Sequence, residues 1–366
     1  MDQVVRQVFA VCAVVLALWS ALGAQSASPD TPGVVVRWSR EIEAREVLLS
    51  AGSVFVQTKG ALIALDAESG RQIWEQPLGN EESPRRPADP MILLDDKIVV
   101  GVAHKVSVFD AGTGSLVSRT EIPGGPARLI AGPPLVVETE WRLAGSVIFR
   151  IDPASGKILA RQRSNFVEGI FLRDGVLLVK AYRSSPEEAP EMHILSAFRA
   201  SDLKTLWNMR ADWPELHEVD GVAVLSVIAD YDRGGRYMPI NLQTGELGPP
   251  LPRRDPVEAE WGGATWELES VDSGDNFDRM RRNDPASGSP IWTQDVPFPV
   301  TGFLRDGSKL YLYGGDGLAV LDWETGRLRQ VLKSFQPIRE LFLLNESLVA
   351  WTFDDRILSF CLSPAV

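Results

Sequence analysis

From residue 62 the chain alternates apolar runs with a tight polar turn. Leu62-Ile-Ala-Leu-Asp66-Ala-Glu-Ser-Gly70-Arg-Gln-Ile-Trp74 reads as a strand, a turn closed by glycine, and a second strand carrying tryptophan. Gly70 suits a turn position that needs positive φ, and the Asp66 carboxylate can accept hydrogen bonds from amides inside the turn. The same punctuation returns at Asp110–Gly114, Asp152–Gly156, Asn241–Gly245, Asp284–Gly288 and Asp322–Gly326, with a degenerate copy at Arg199–Leu203. Successive first positions lie 44, 42, 47, 42, 43 and 38 residues apart, a spacing that fits four-stranded propeller blades. Tryptophan stands eight residues after the first turn position at Trp74, Trp207 and Trp292, whereas Ser118, Ala160, Pro249 and Gln330 take that place in the other copies. A large ring there is expected to fill the space between neighbouring blades.

Upstream of the turns lie paired strand-like runs, such as Val47–Leu49 with Ser53–Gln57 and Met91–Leu94 with Lys97–Val102, and the dipeptides Asp174-Gly175, Asp220-Gly221 and Asp306-Gly307 are hairpin signals. Each unit is therefore read as a four-stranded antiparallel meander. After the seventh turn only three strand-like runs remain, Ile338–Leu344, Leu348–Phe353 and Arg356–Leu362, while Val34–Ile42 near the other end looks like a lone fourth strand with its own Trp38. Pairing the two would satisfy both edges. The expectation is an all-β, eight-bladed propeller closed by an N-terminal strand that joins the last blade.

The run Ala64-Leu-Asp66-Ala-Glu-Ser-Gly70-Arg-Gln-Ile-Trp74 resembles the PQQ-like (pyrroloquinoline-quinone) repeat, and the resemblance extends with decay from about residue 33 to 362. It implies the quinoprotein-like propeller fold, which is shared by quinone-dependent dehydrogenases and by a non-catalytic lipoprotein of outer-membrane protein assembly. Dehydrogenases of this kind are longer and often carry adjacent cysteines, acidic and amide calcium ligands and a catalytic aspartate. No adjacent cysteine pair occurs here and none of those residues is matched, so no cofactor is predicted and PQQ with calcium belongs only to the alternative.

The N-terminus changes the picture of where the protein works. A short head leads into the apolar run Val8–Leu22 and a small-residue exit, Gly23-Ala-Gln-Ser-Ala27. That order reads as a secretory signal peptide over residues 1–27, leaving 28–366 as one propeller domain that is exported to the periplasm or beyond and has no membrane span after cleavage. Of the two cysteines only Cys361 then remains, so the fold must be held by its core and not by an internal disulfide. The net charge of −12 and the lack of any Lys/Arg run argue against nucleic acid as a partner.

Candidate chemistry is sparse. His104, His193 and His217 lack metal-pair spacing, no Gly-x-Ser-x-Gly elbow occurs, and the acidic stretch Asp272–Asp278 misses the EF-hand pattern. No catalytic or metal residue is assigned. Three longer connections, 183–191, 230–236 and 272–283, are where recognition would sit on a rigid scaffold. If they share one face, Tyr182, Arg183, Tyr231, Arg233, Arg236 and Arg279, with the following arginines to Arg282, form a partner surface. The reading is a non-enzymatic scaffold, monomeric within a complex, that holds envelope or extracellular proteins. The alternatives are a small quinoprotein oxidoreductase and a carbohydrate or small-ligand binder at the propeller axis.

Overall fold

The computed structural model describes residues 34–50, 52–79, 91–126, 128–132, 135–141, 145–183, 192–210, 215–219, 222–227, 236–250, 265–269, 278–284, 287, 289–315, 317–333, 336–344 and 347–362. Among them all regular structure is β: thirty strands in eight antiparallel sheets, six of four strands and two of three. No described helix is long and apolar enough to cross a membrane.

Numbered along the chain, β1 (Val34–Glu41) precedes the first sheet, which comprises β2 (Glu46–Ser50), β3 (Ser53–Gln57), β4 (Ala61–Asp66) and β5 (Gln72–Pro77). The second is β6 (Met91–Leu94), β7 (Lys97–Val102), β8 (Lys105–Asp110) and β9 (Leu116–Glu121). The third is β10 (Arg128–Ile130), β11 (Leu135–Trp141), β12 (Gly145–Ile151) and β13 (Ile158–Ser164). The fourth is β14 (Phe166–Arg173), β15 (Val176–Arg183), β16 (Met192–Arg199) and β17 (Thr205–Arg210). The three-stranded fifth and sixth are β18 (Glu215–Val219), β19 (Val222–Val227) and β20 (Arg236–Pro239), then β21 (Thr265–Glu269), β22 (Arg279–Asn283) and β23 (Pro290–Asp295). The seventh is β24 (Gly302–Asp306), β25 (Lys309–Gly314), β26 (Gly317–Asp322) and β27 (Leu328–Lys333). The eighth is β28 (Ile338–Leu344), β29 (Ser347–Thr352) and β30 (Arg356–Leu362), with β1 paired antiparallel to β30 on its outer side.

The middle strands are apolar on both faces where their sheet is covered on both sides. In β7 and β29 every residue after the first is buried, whereas the outer β5 buries only Trp74. Val54, Val56 and Leu65 of the first sheet pack on Val349, Trp351 and Ile357 of the eighth. Phe55, Leu62 and Ala64 face Ile98, Val100 and Phe109 of the second. Clusters of the same kind join the second sheet to the third, third to fourth, fourth to fifth, sixth to seventh and seventh to eighth. The first strands β2, β6, β10 and β14 lie beside one another in order, and β24, β28 and β2 do likewise.

The turn motif works as a lock between sheets. Asp110 accepts hydrogen bonds from the amide and hydroxyl of Thr113, both at 2.8 Å, and Gly114 N–H closes onto Asp110 C=O. Gly114 has φ +71°, and a methyl group there would sit 2.6 Å from the indole of Trp74 in the preceding sheet. The indole N–H donates to Ala111 C=O at 3.0 Å, one residue after the aspartate. The same ring-on-glycine contact joins Trp38 to Gly70, Trp207 to Gly245 and Trp292 to Gly326, with indole N–H bonds to Ala67, Leu242 and Trp323 carbonyls. Where serine replaces the tryptophan, the Ser118 hydroxyl makes the equivalent bond to Pro153 C=O at 2.7 Å. The expected inter-sheet role of the tryptophan is thus observed.

The degenerate copy keeps the lock with its parts exchanged. Leu203 takes the glycine place at φ +58° and still donates its N–H to Arg199 C=O. Its side chain is 2% exposed and belongs to the cluster against which Ala160, at the tryptophan place, packs. A large residue on the turn and a small one on the strand fill the gap that indole and glycine fill elsewhere.

Two strand expectations need correction. Among the described residues the fifth sheet lacks a regular fourth strand; after the Asn241 turn only one bridge, Ile240 with Leu247, continues the ladder. Pro249 and Pro250 follow at once and have no N–H to donate, so the pairing stops. The arginine run 279–282, read as part of a loop, is the strand β22, held by the buried Met280. The signal segment 1–27, Asp220-Gly221 and most of the acidic stretch 272–278 lie outside the described residues.

Candidate functional site

In each meander the aspartate turn joins the third and fourth strands, so the connection between second and third strands leaves from the opposite end. The three long connections, β15–β16, β19–β20 and β21–β22, each precede the strand that runs into the polar turn, in consecutive sheets. The strands that flank them therefore end opposite the polar turns, at the loop end; residues 184–191, 228–235 and 270–277 of the connections lie outside the described residues.

The best defined part lies at the loop end of the fourth sheet. A bulge between Val167 and Gly169 singles out Glu168 on the inner strand β14. Its carboxylate lies 3.3 Å from Lys180 Nζ on β15 and 3.5 Å from His193 Nε2 on β16. His193 is 2% exposed, so this imidazole is packed between the carboxylate and ring neighbours and not offered to solvent. Phe166 stacks on Tyr182 at 5.6 Å, and Tyr182 in turn lies 6.4 Å from the His193 ring. Tyr182 and Arg183 end β15 opposite His193 and Met192, so the long connection springs from a base stiffened by three rings. The adjoining third sheet is stitched to this base. Ser146, buried, donates its hydroxyl to Glu138 at 2.8 Å and accepts the Val167 amide, while Arg128 reaches Val167 C=O.

Of the other predicted surface residues, Arg236 opens β20 opposite Val227, and Arg279 opens β22. Arg279 Nε pairs with Asp295 at 2.6 Å and holds that carboxyl below its usual range, chiefly through this hydrogen bond. Arg282 sits at the other end of β22, stacked 4.7 Å over Trp323 and bonded to the Trp323 carbonyl and Glu324, so it belongs to the turn end. Tyr231 and Arg233 lie outside the described residues, as does the Arg183 side chain. Glu168, Lys180 and Phe166 were not singled out in the sequence; a single carboxylate in an apolar strand was the only signal. Cys361 is half-buried, 3.3 Å from an Arg37 guanidinium nitrogen.

Calcium takes about six to eight oxygen ligands. The side chains that converge at this base offer one carboxylate with an amine and an imidazole, which does not fit such a cage, and no group of three or more His, Cys, Asp or Glu suited to a metal forms among the described residues.

Comparison with known proteins agrees with this architecture. A family profile described as "Outer membrane protein assembly factor BamB" matches residues 30–140. Quinohemoprotein alcohol dehydrogenase ADH IIB from Pseudomonas putida is 36% identical over 92 residues, which are 23% of this chain and only 13% of that enzyme. Among solved structures, BamB from Moraxella catarrhalis superposes with a TM-score of 0.56 at 13% identity, covering 90% of this chain and 100% of that one. The quinohemoprotein alcohol dehydrogenase ADHIIG from Pseudomonas putida HK5 gives 0.56 at 12% identity, covering 94% of this chain and 78% of the enzyme, and a computationally designed protein, Ika8, gives 0.56 at 13%, covering 89% and 98%. Over residues 30–140 the repeats match the PQQ-like kind, and the fold of the chain is that of BamB and the quinohemoprotein alcohol dehydrogenases.

Proposed function

We propose that the eight sheets are the blades of one closed ring, with β1 on β30 as its closure, and that the ring is an exported, non-enzymatic scaffold holding a protein partner at the loop end of blades four to six. The Trp38 lock onto Gly70 supports closure, because it ties the last blade to the first by the contact that ties internal neighbours. The observation that carries the scaffold reading is the emergence of three long connections at one end of consecutive blades, over the Phe166–Tyr182–His193 base. Likeness to BamB, an assembly factor of the outer membrane by its own name, points to envelope proteins as the class of partner.

The test is crosslinking of the tagged chain in its native envelope, with the wild type beside a Tyr182→Ala, Arg236→Glu, Arg279→Glu variant. Loss of one specific crosslinked protein with unchanged melting supports the reading; an unchanged crosslink pattern refutes it. The quinoprotein alternative rests on the 92-residue match to a dehydrogenase. It predicts a rise in stability of ~2.7 kcal/mol with PQQ and calcium at a hundred times the dissociation constant, together with dye reduction.

A further inference from the structure

The junction between the third and fourth sheets opens at its outer edge into a cleft of about 640 Å³. One wall is the end of β13, Gln162 to Asn165, and the other is one face of β16 and β17. Register sets that face: Ser196 lies opposite Asn208 and Ile194 opposite Arg210. Phe198, 4% exposed, forms the floor where the dry core with Val136 and Ile148 ends.

The lining has a distinct chemistry. None of its eleven residues is acidic, and Arg163 and Arg210 stand exposed on opposite walls of a chain whose net charge is −12. No carboxylate among the described residues pairs with either arginine. Between them are amides and hydroxyls, including Asn165, Asn208 and Ser164, which donate and accept hydrogen bonds. Both flanking outer strands, β13 and β17, are free edges of their sheets, with a row of unpaired backbone groups.

We propose that this cleft binds an extended acidic peptide segment of a partner protein, laid as an added strand along β13 with alternate side chains turned into the cleft. Acidic side chains meet Arg163 and Arg210, and an aliphatic one reaches down to Ile194 and Phe198. An anionic oligosaccharide fits less well, because its rings stack on exposed aromatic faces and the lone aromatic of the lining is buried. The cleft lies on the outer strands at the loop-end half of the third and fourth sheets but shares no lining residue with Tyr182, Arg236 or Arg279, so this inference does not rest on the partner assigned there.

The test is fluorescence anisotropy on the full chain with a labelled synthetic peptide of about nine residues in which Thr alternates with Glu, Val and Glu, so that one face of the strand carries both the acids and the aliphatic side chain. The peptide is expected to bind saturably, its Lys-for-Glu copy about tenfold or more weakly, and an Arg163→Glu, Arg210→Glu variant is expected to lose about tenfold in affinity. N-methylation of alternate peptide amides, which removes the strand-pairing donors, is expected to abolish binding, and Arg236→Glu with Arg279→Glu to leave it unchanged. Both cleft arginines are exposed, so unchanged melting separates lost binding from lost fold. Equal binding to wild type and cleft variant, no saturation up to ~1 mM, or binding of oligogalacturonate in place of the peptide overturns the proposal.

Discussion

Exchanging the two halves of the unusual lock tests whether the inter-sheet contact is a unit or two independent side chains. Leu203→Gly removes a leucine that is 2% exposed. Deleting a buried leucine side chain costs about 2–5 kcal/mol, and relief of the left-handed backbone returns about 1–2. The net loss expected is about 0–4 kcal/mol. Ala160→Trp alone pushes an indole into space that Leu203 occupies, an overpacking cost of about 1–3 kcal/mol. In the double variant the ring lies over glycine, as Trp74 lies over Gly114, and its N–H can donate to the Ala200 carbonyl, the counterpart of Ala111. The pair should therefore be less destabilised than the sum of the singles by about 2 kcal/mol, within the range seen for residues in contact. Urea unfolding followed by circular dichroism measures all four corners of the cycle. Additivity within about 0.5 kcal/mol would refute the lock as a cooperative contact.

Three further outcomes follow from the same contacts. Gly114→Ala should destabilise by about 2–4 kcal/mol, because strain at positive φ is joined by a clash with Trp74, whereas Gly175→Ala, at φ +73° with nothing within 4 Å of the added methyl, should cost only the conformational part, about 1–2 kcal/mol; urea midpoints decide. Arg329 and then Thr325 hold the Asp322 carboxyl at about 2, below its ordinary 3.8. A depressed carboxyl stabilises the fold above its unfolded value and loses that contribution as pH falls through the folded one. The gap in melting temperature between wild type and Asp322→Asn should thus be full above pH 3.8 and close toward pH 2; a constant gap would contradict the assignment. Burial pushes the Tyr311 phenol up to about 12, and its oxygen has no hydrogen-bond partner among the described residues, so Tyr311→Phe should be neutral or stabilising by up to about 1 kcal/mol in thermal unfolding.

The turn motif was legible in the sequence because its physics is local: an aspartate that bonds its own turn and a glycine at positive φ must lie within five residues. The meander was legible for the same reason, and β28, β30 and β1 fall within a residue or so of the runs read from the chain. What could not be read was any relation across sheets. Ala160 and Leu203 carry no signal separately, and only their contact in three dimensions explains why both depart from the motif. The arginine run 279–282 looked like a loop because polar residues normally face water; in β22 the Arg282 guanidinium lies over the Trp323 ring and donates to the Trp323 carbonyl. The Glu168 cluster was invisible because it is assembled by a bulge from three strands.

The two ends of the blades divide the work. At the turn end an indole or hydroxyl from each of five sheets is bonded to the next turn, and a glycine sits against the ring in four of those five, so a single added methyl is felt at once. At the loop end the connections range from the two residues between β7 and β8 to the nine between β21 and β22. Lengthening a connection costs little, since closure entropy grows only as the logarithm of loop length. Sequence change is thus tolerated at one end and punished at the other, which places any partner-specific surface on the loop end or in the outer cleft. That cleft opens at the junction where Ala160 and Leu203 stand in the places of tryptophan and glycine, a junction already set apart from the others by its core.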